Sequence, residues 1–125
     1  MKKIVASPNA PKAVGTYSQA VIVDNTIYIS GQLPIDPQKG GFVEGGFKEQ
    51  LTQVFKNLKA ILEEGGFQLS DAVKVTCYLQ DLSNFAALNE VYAQFFTEPY
   101  PARVAFQVAA LPQNAMVEVD MIAAK

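Results

Sequence analysis

Apolar positions change their period several times along the chain, and each change predicts an element. Ala20-Val21-Ile22-Val23 and Thr26-Ile27-Tyr28-Ile29-Ser30 are β-rich runs separated only by Asp24-Asn25. That spacing predicts a hairpin with a two-residue turn. Gly31 and Pro34 are expected to end the second strand. Residues 34–46 carry Pro34, Pro37, Gly40, Gly41, Gly45 and Gly46, which predict a loop within one domain. From Phe47 the period becomes helical, with Leu51, Val54, Phe55, Leu58, Ile61 and Leu62 at three- and four-residue steps. Gly65-Gly66 supplies the stop.

Residues 72–79 return to period two and predict a strand with Val73, Val75, Cys77 and Leu79 on one face. Ser83 is then the expected N-cap of a second helix, with Phe85, Leu88, Val91, Tyr92, Phe95 and Phe96 on its apolar side. Pro99 and Pro101 bracket Tyr100 beyond its end. Two closing strands follow at about 102–108 and 115–123, joined through Leu111-Pro112-Gln113-Asn114. With a short extra strand at residues 3–6, the core order is β-β-α-β-α-β-β. The expected class is α+β, a sheet with both helices packed on one face.

Composition narrows the chemistry. A chain of 125 residues, half of them apolar, is one soluble domain with a sizeable core. The net charge is −2 and the lysines are dispersed, which argues against a nucleic-acid partner. There is no histidine and one cysteine, so serine–histidine and cysteine–histidine pairs and the common zinc sites are excluded. No metal is expected. Cys77 cannot form an intrachain disulfide and reads as a small core hydrophobe. The Met1–Val5 start shows no apolar run that would serve as a signal or span, so a cytoplasmic protein without a membrane partner is expected.

Arg103 is the only arginine, and it lies in the apolar run Pro101–Val108. A guanidinium is always charged and offers a donor fork that fits a carboxylate. One reading is a receptor for a substrate carboxylate; the plainer one is an ion pair with Glu118 or Asp120. Alternation sets Arg103, Ala105 and Gln107 on one face of their strand, and Glu118 and Asp120 opposite Val117, Val119 and Met121 on theirs. If both polar faces lie away from the helices, arginine and carboxylates share one surface, and another subunit would have to cover it. Glu118 or Asp120 could then act as a base or position water, and the small Ala105 leaves room for a ligand. Ser30-Gly31-Gln32, Tyr17 in Gly15–Gln19, and mid-helix Asn89 are further candidates, each also readable as structural.

Together these residues resemble the Rid family, the reactive intermediate deaminases also called YjgF-type proteins, in the RidA subgroup. The stretches carrying the resemblance are Asn9-Ala10-Pro11 with Gly15–Gln19, Ser30–Pro34, Phe85–Tyr92 with Asn89, and Pro101–Val104 with Leu111-Pro112 and Glu118-Val119-Asp120. The resemblance implies a chorismate-mutase-like fold with a mixed sheet, assembled as a homotrimer with ligand sites between subunits. It implies hydrolysis of 2-imino acids, such as 2-iminobutanoate and 2-iminopropanoate, to 2-keto acids and ammonia without a cofactor. Such imines arise from pyridoxal-phosphate-dependent dehydratases. In those terms Arg103 holds the substrate carboxylate and Glu118 orients or activates water. Tyr17, Ser30 and Asn89 line the cleft, and the backbones of Gly31 and Ala105 contact the ligand.

Three positions depart from the pattern. Ala105 stands where many members carry cysteine, which removes a thiol from the site. Ala110 replaces a basic residue common before Leu-Pro, and Thr16 replaces a proline before the tyrosine, predicting a looser Tyr17 loop. Two other functions compete. A non-catalytic trimer that senses small carboxylates would use the same Arg103 pocket, although Glu118 beside it would be of no use to such a receptor. A ribonuclease is disfavoured by the missing histidine and basic patch.

Overall fold

The computed structural model describes all residues, Met1–Lys125. Eight strands and two helices appear in the order β1 (Lys3–Val5), β2 (Ala20–Val23), β3 (Thr26–Gln32), β4 (Ile35–Asp36), β5 (Gly41–Phe42), α1 (Phe47–Glu64), β6 (Ala72–Leu79), α2 (Phe85–Phe95), β7 (Ala102–Gln107) and β8 (Val117–Ala124). Six strands form one mixed sheet in the order β1-β2-β3-β8-β6-β7. Every neighbouring pair is antiparallel except β6 and β7, which are parallel and joined by α2. The predicted α+β class is therefore the observed one.

Period two along the strands decides what the helices cover. Ile27, Ile29, Val75, Cys77, Leu79, Val117, Val119, Met121 and Ala123 are all buried on one side of the sheet. Against them pack Leu51, Val54, Phe55, Leu58, Ile61 and Leu62 of α1 and Leu88, Val91 and Tyr92 of α2. Each fully buried side chain of this size contributes about 1.5–3 kcal/mol. Phe55 lies at the helix–helix contact, with ring centroids 5.8, 5.1 and 5.5 Å from those of Tyr92, Phe95 and Phe96. At the end of α1 the Gly66 N–H donates to Glu63 O and the Phe67 N–H to Leu62 O, closing the carbonyls the helix leaves free. Gly66 takes φ +83°, the left-handed conformation glycine adopts without strain.

Four local expectations are corrected. Val73 is exposed and not a face-mate of Val75, because the register shifts between Ala72 and Lys74 and gives the inward place to Ala72. Ser83 does not cap α2: it sits in a 3₁₀ turn at Leu82–Asn84, and the Asp81 carboxylate accepts its N–H. Gly31 does not end β3 but lies within it, where the register against β8 shifts between Ile29 and Gln32. The loop at 34–46 contains a small hairpin, β4 paired with β5. Asn57 of α1, fully buried, holds that segment by donating its amide to the carbonyls of Leu33 and Ile35 at 3.2 and 2.9 Å.

No helix covers the other side of the sheet. Ile4, Tyr28, Val104 and Phe106 are exposed there, beside Thr76, Tyr78, Glu118 and Asp120. Strand β7, which carries Arg103, is one edge of the sheet.

Candidate functional site

Arg103 faces the helices. Its β7 neighbours place it opposite Val75 of β6, a core-side residue, so its side chain meets α2. Asn89 lies on that helix one turn before Tyr92 and one after Phe85, and all three reach the guanidinium. The Nη1 group donates to Asn89 Oδ1 at 2.8 Å. The guanidinium carbon lies 4.8 Å from the Tyr92 ring centroid and 5.5 Å from that of Phe85, so the cation is held against aromatic faces. The helix residue that looked out of place by propensity is thus the one that orients the arginine.

No carboxylate of the chain pairs with Arg103; the single ion pair is Lys48–Glu90 on the surface. The plainer expectation, an ion pair with Glu118 or Asp120, is therefore not met. The supposition that arginine and carboxylates share the uncovered face is also overturned. Alternation was read correctly on each strand, but β7 turns its polar side toward α2 whereas β8 turns its polar side away. With β6 between them, the backbones of β7 and β8 are about 10 Å apart, and the two side chains diverge from there. Around Arg103, a depression of about 360 Å³ is lined by Asn89, Tyr92, Ala93, Tyr100 and Pro101. Ala105 shares the Arg103 face and packs against the core beside Cys77.

A second group forms where the Tyr17 loop crosses β3. The buried Gln19 amide fixes this loop: its oxygen accepts the Ser7 N–H at 2.7 Å, and its nitrogen donates to the carbonyls of Ser7 and Pro11. The Ser30 hydroxyl donates to Ser18 O at 2.6 Å, and the Ser30 N–H to Gln19 O at 2.9 Å. Ser30 therefore anchors the loop, and the half-exposed Tyr17 ring stands over a depression of about 460 Å³ that it shares with Thr16, Ser18, Tyr28 and Ser30. Thr16 lies in this loop, which these bonds hold.

Glu118 adjoins this second group. Its carboxylate lies over Gly31, where a Cβ would overlap Oε2 and stand 3.0 Å from Cδ. A side chain at this position would push the Glu118 carboxylate out of its place. Partial burial raises the Glu118 pKa above its ordinary value, and the Asp120 carboxylate two residues along the same face adds to the rise. Asp120 in turn accepts the Tyr78 hydroxyl at 2.7 Å.

The structure thus brings Arg103 together with Asn89 and Ala105, Tyr17 with Ser30, and the adjoining Gly31 with Glu118, but not the first set with the others. Sequence reasoning missed Tyr92 as a wall for the arginine, Gln19 as the loop's anchor and Tyr78 as the partner of Asp120. A tyrosine three residues after Asn89 was a readable signal for the first. The other two depend on contacts across 12 and 42 residues, which local pattern does not encode. Cys77 is fully buried, and desolvation pushes its thiol up to about 12, so it is the inert core residue expected. No group of histidine, cysteine and carboxylate side chains gathers as metal ligands, and no helix is long and apolar enough to cross a membrane.

Comparison with known proteins covers the same residues. A RutC family protein of Pyrococcus horikoshii is 50% identical over 125 residues, spanning all of this chain and 99% of that one. The 2-iminobutanoate/2-iminopropanoate deaminase of Bos taurus is 47% identical over 123 residues, spanning 98% of this chain and 90% of its own. The crystal structure of RidA from the Antarctic bacterium Psychrobacter sp. superimposes with a TM-score of 0.95 at 54% identity, covering 98% and 99% of the two chains. The family model described as Endoribonuclease L-PSP matches residues 7–125, and with these relatives on both sides of it the chain belongs to that family, the YjgF or Rid family of the sequence resemblance.

Proposed function

We propose that this protein is an imine deaminase that hydrolyses 2-imino acids of the 2-iminobutanoate and 2-iminopropanoate type to 2-keto acids and ammonia. The observation that carries the reading is Arg103: a guanidinium oriented by Asn89, backed by Tyr92 and Phe85, and without an anion from its own chain. Its remaining N–H groups suit the carboxylate of a small 2-imino acid. Glu118, a carboxylate with a raised pKa beside Ser30, Gly31 and the Tyr17 loop, suits activation of water.

Because these groups face opposite sides of one sheet, the reading requires a composite site. The Arg103 half of one subunit would meet the Tyr17, Ser30, Gly31 and Glu118 half of another across a repeated head-to-tail interface. The uncovered, partly apolar sheet face gives such an assembly a surface to bury. A cyclic homotrimer, as the family resemblance implies, closes that interface.

The chemistry balances without a cofactor. Glu118 takes a proton as the water oxygen bonds to the electrophilic carbon of the protonated imine, and the C=N bond becomes a C–N single bond to a neutral amino nitrogen. The proton then passes to the amino nitrogen, the C–N bond breaks, ammonia leaves, and the hydroxyl loses its proton to form the ketone. Positioning of substrate and water supplies much of the acceleration.

A second reading, a carboxylate-sensing trimer, draws on the same Arg103 pocket. Ribonuclease action, which the family description names, is disfavoured by the net charge of −2, the lysines dispersed along the chain and a sole arginine turned into a pocket. One assay separates them: an amino-acid oxidase generates imine and keto-acid formation is followed. Faster keto-acid release with the wild type, abolished in Arg103→Ala and Glu118→Gln, supports the deaminase. Ligand binding without acceleration supports the sensor.

A further inference from the structure

Two side chains beside Glu118 take no part in the reading above: Tyr78 and Asp120. We propose that they form a positioning pair for Glu118, in which the Tyr78 hydroxyl clamps Asp120 so that its fixed negative charge keeps Glu118 a strong enough base to take the proton from water. The proposal rests on the reading of Glu118 as the water-activating group and names how that group is tuned.

The geometry is specific. Glu118 and Asp120 are i and i+2 on β8, so both project from the uncovered face. Their side chains share it with β6, where Tyr78 stands directly opposite Glu118 and Thr76 opposite Asp120. The Tyr78 hydroxyl therefore reaches diagonally to Asp120 Oδ2, at 2.7 Å, and does not bond Glu118, its direct opposite. The Tyr78 ring is itself braced edge-on by Phe106 of β7, with centroids 5.4 Å apart. A short bond from a braced ring fixes where the Asp120 charge sits.

The groups facing Glu118 are few. From β8 there is Asp120; from β6, Tyr78 and Thr76, with Lys74 further along the face opposite Ile122. From β3 there are the Ser30–Gly31 bulge and Tyr28, and from β7 only Val104 and Phe106 on this side. Arg103 of the same chain is on the other side of the sheet, and Arg103 of the partner subunit would enter the composite site already engaged by the substrate carboxylate. Partial burial raises the Glu118 pKa, and Asp120, the nearest fixed charge within the chain, is a like charge that adds to the rise. The clamp also bears on Tyr78, whose own pKa is raised to about 12, chiefly by donating to Asp120. A carboxylate whose pKa is raised takes a proton more readily than an ordinary one.

The test follows the Glu118 carboxyl carbon by NMR through a pH titration of the assembled protein, beside the pH dependence of kcat/KM. Asp120→Asn, which keeps shape and removes charge, is expected to lower the Glu118 midpoint and the acid limb by on the order of half a pH unit. Tyr78→Phe is expected to move both the same way by less, and to add nothing in the Asp120→Asn background. A purely structural pair would lower stability and leave both midpoints in place. An unmoved Glu118 midpoint in Asp120→Asn overturns the proposal. Full turnover by Glu118→Gln would instead remove Glu118 from the reaction, a failure of the underlying reading that the carboxyl titration distinguishes from failure of the coupling.

Discussion

Arg103 on β7 and Glu118 on β8 project from opposite faces of the same sheet, with β6 running between them. Arg103 is held against α2 by Asn89 and Tyr92, while Glu118 looks out from the uncovered face over Gly31. Neither can turn to the other without passing through the core. If both act on one substrate molecule, they do so from different chains.

That geometry makes complementation between subunits a direct measurement. Arg103→Ala and Glu118→Gln should each be inactive. Unfolded together in equal amounts and refolded, they should recover activity at roughly one site in four, where an intact Arg103 half meets an intact Glu118 half. Light scattering on the same samples should report a trimer. A monomer, or a mixture as inactive as its parents, rules the composite site out.

Arg103→Lys should lose imine hydrolysis by on the order of 10²-fold despite keeping its charge. An ammonium cannot offer two parallel donors, nor stack against Tyr92 and Phe85 as a planar group does. Steady-state kinetics decides, and near-full activity in the lysine variant would refute the carboxylate clamp.

Gly31→Ala should impair turnover and stability together. The added Cβ overlaps the Glu118 carboxylate, so either Glu118 swings away or β3 shifts, at a cost of about 1–3 kcal/mol. The same change in a Glu118→Ala background should be nearly neutral in denaturant unfolding, because the colliding atoms are gone.

Asn57→Ala should destabilise the fold by about 2–4 kcal/mol, since it strips the Leu33 and Ile35 carbonyls of their donor and leaves a cavity. Urea unfolding measures the loss. Stability close to that of the wild type would mean that water replaces the amide.

Alkaline pH should weaken the protein through two buried groups. Desolvation raises Cys77 from 9.0 and Tyr92 from 10.0, both to about 12. Above pH 9 the unfolded chain loses these protons before the folded one does. Stability present below that pH therefore falls as pH climbs through the range to 12. Denaturation midpoints measured across it should decline, and Cys77→Ala should flatten part of the decline. A thiol reagent at neutral pH should label Cys77 only after unfolding.

Much of this molecule was legible in its residues because alternation and helical period are local. Phe47 to Leu62 had to form one buried helical face, and Ile27, Ile29, Val117, Val119 and Met121 had to point one way, whatever lay beyond them. The solitary Arg103 and the out-of-place Asn89, each singled out by residue type alone, turn out to be hydrogen-bonded to each other. Period two, however, says only that Arg103 and Val104 oppose each other on β7, and Glu118 and Val119 on β8. It does not say which polar side faces α2. That was decided by the crossover that lays β7 parallel to β6 at the sheet edge, where an inward arginine finds rings and an amide to hold it. Single-residue slips at Ala72–Lys74 and Ile29–Gln32 turned Val73 outward and set Gly31 beneath Glu118. Such bulges arise from pairing between distant strands, so the residues were written in the sequence and their meeting places were settled only by the tertiary fold.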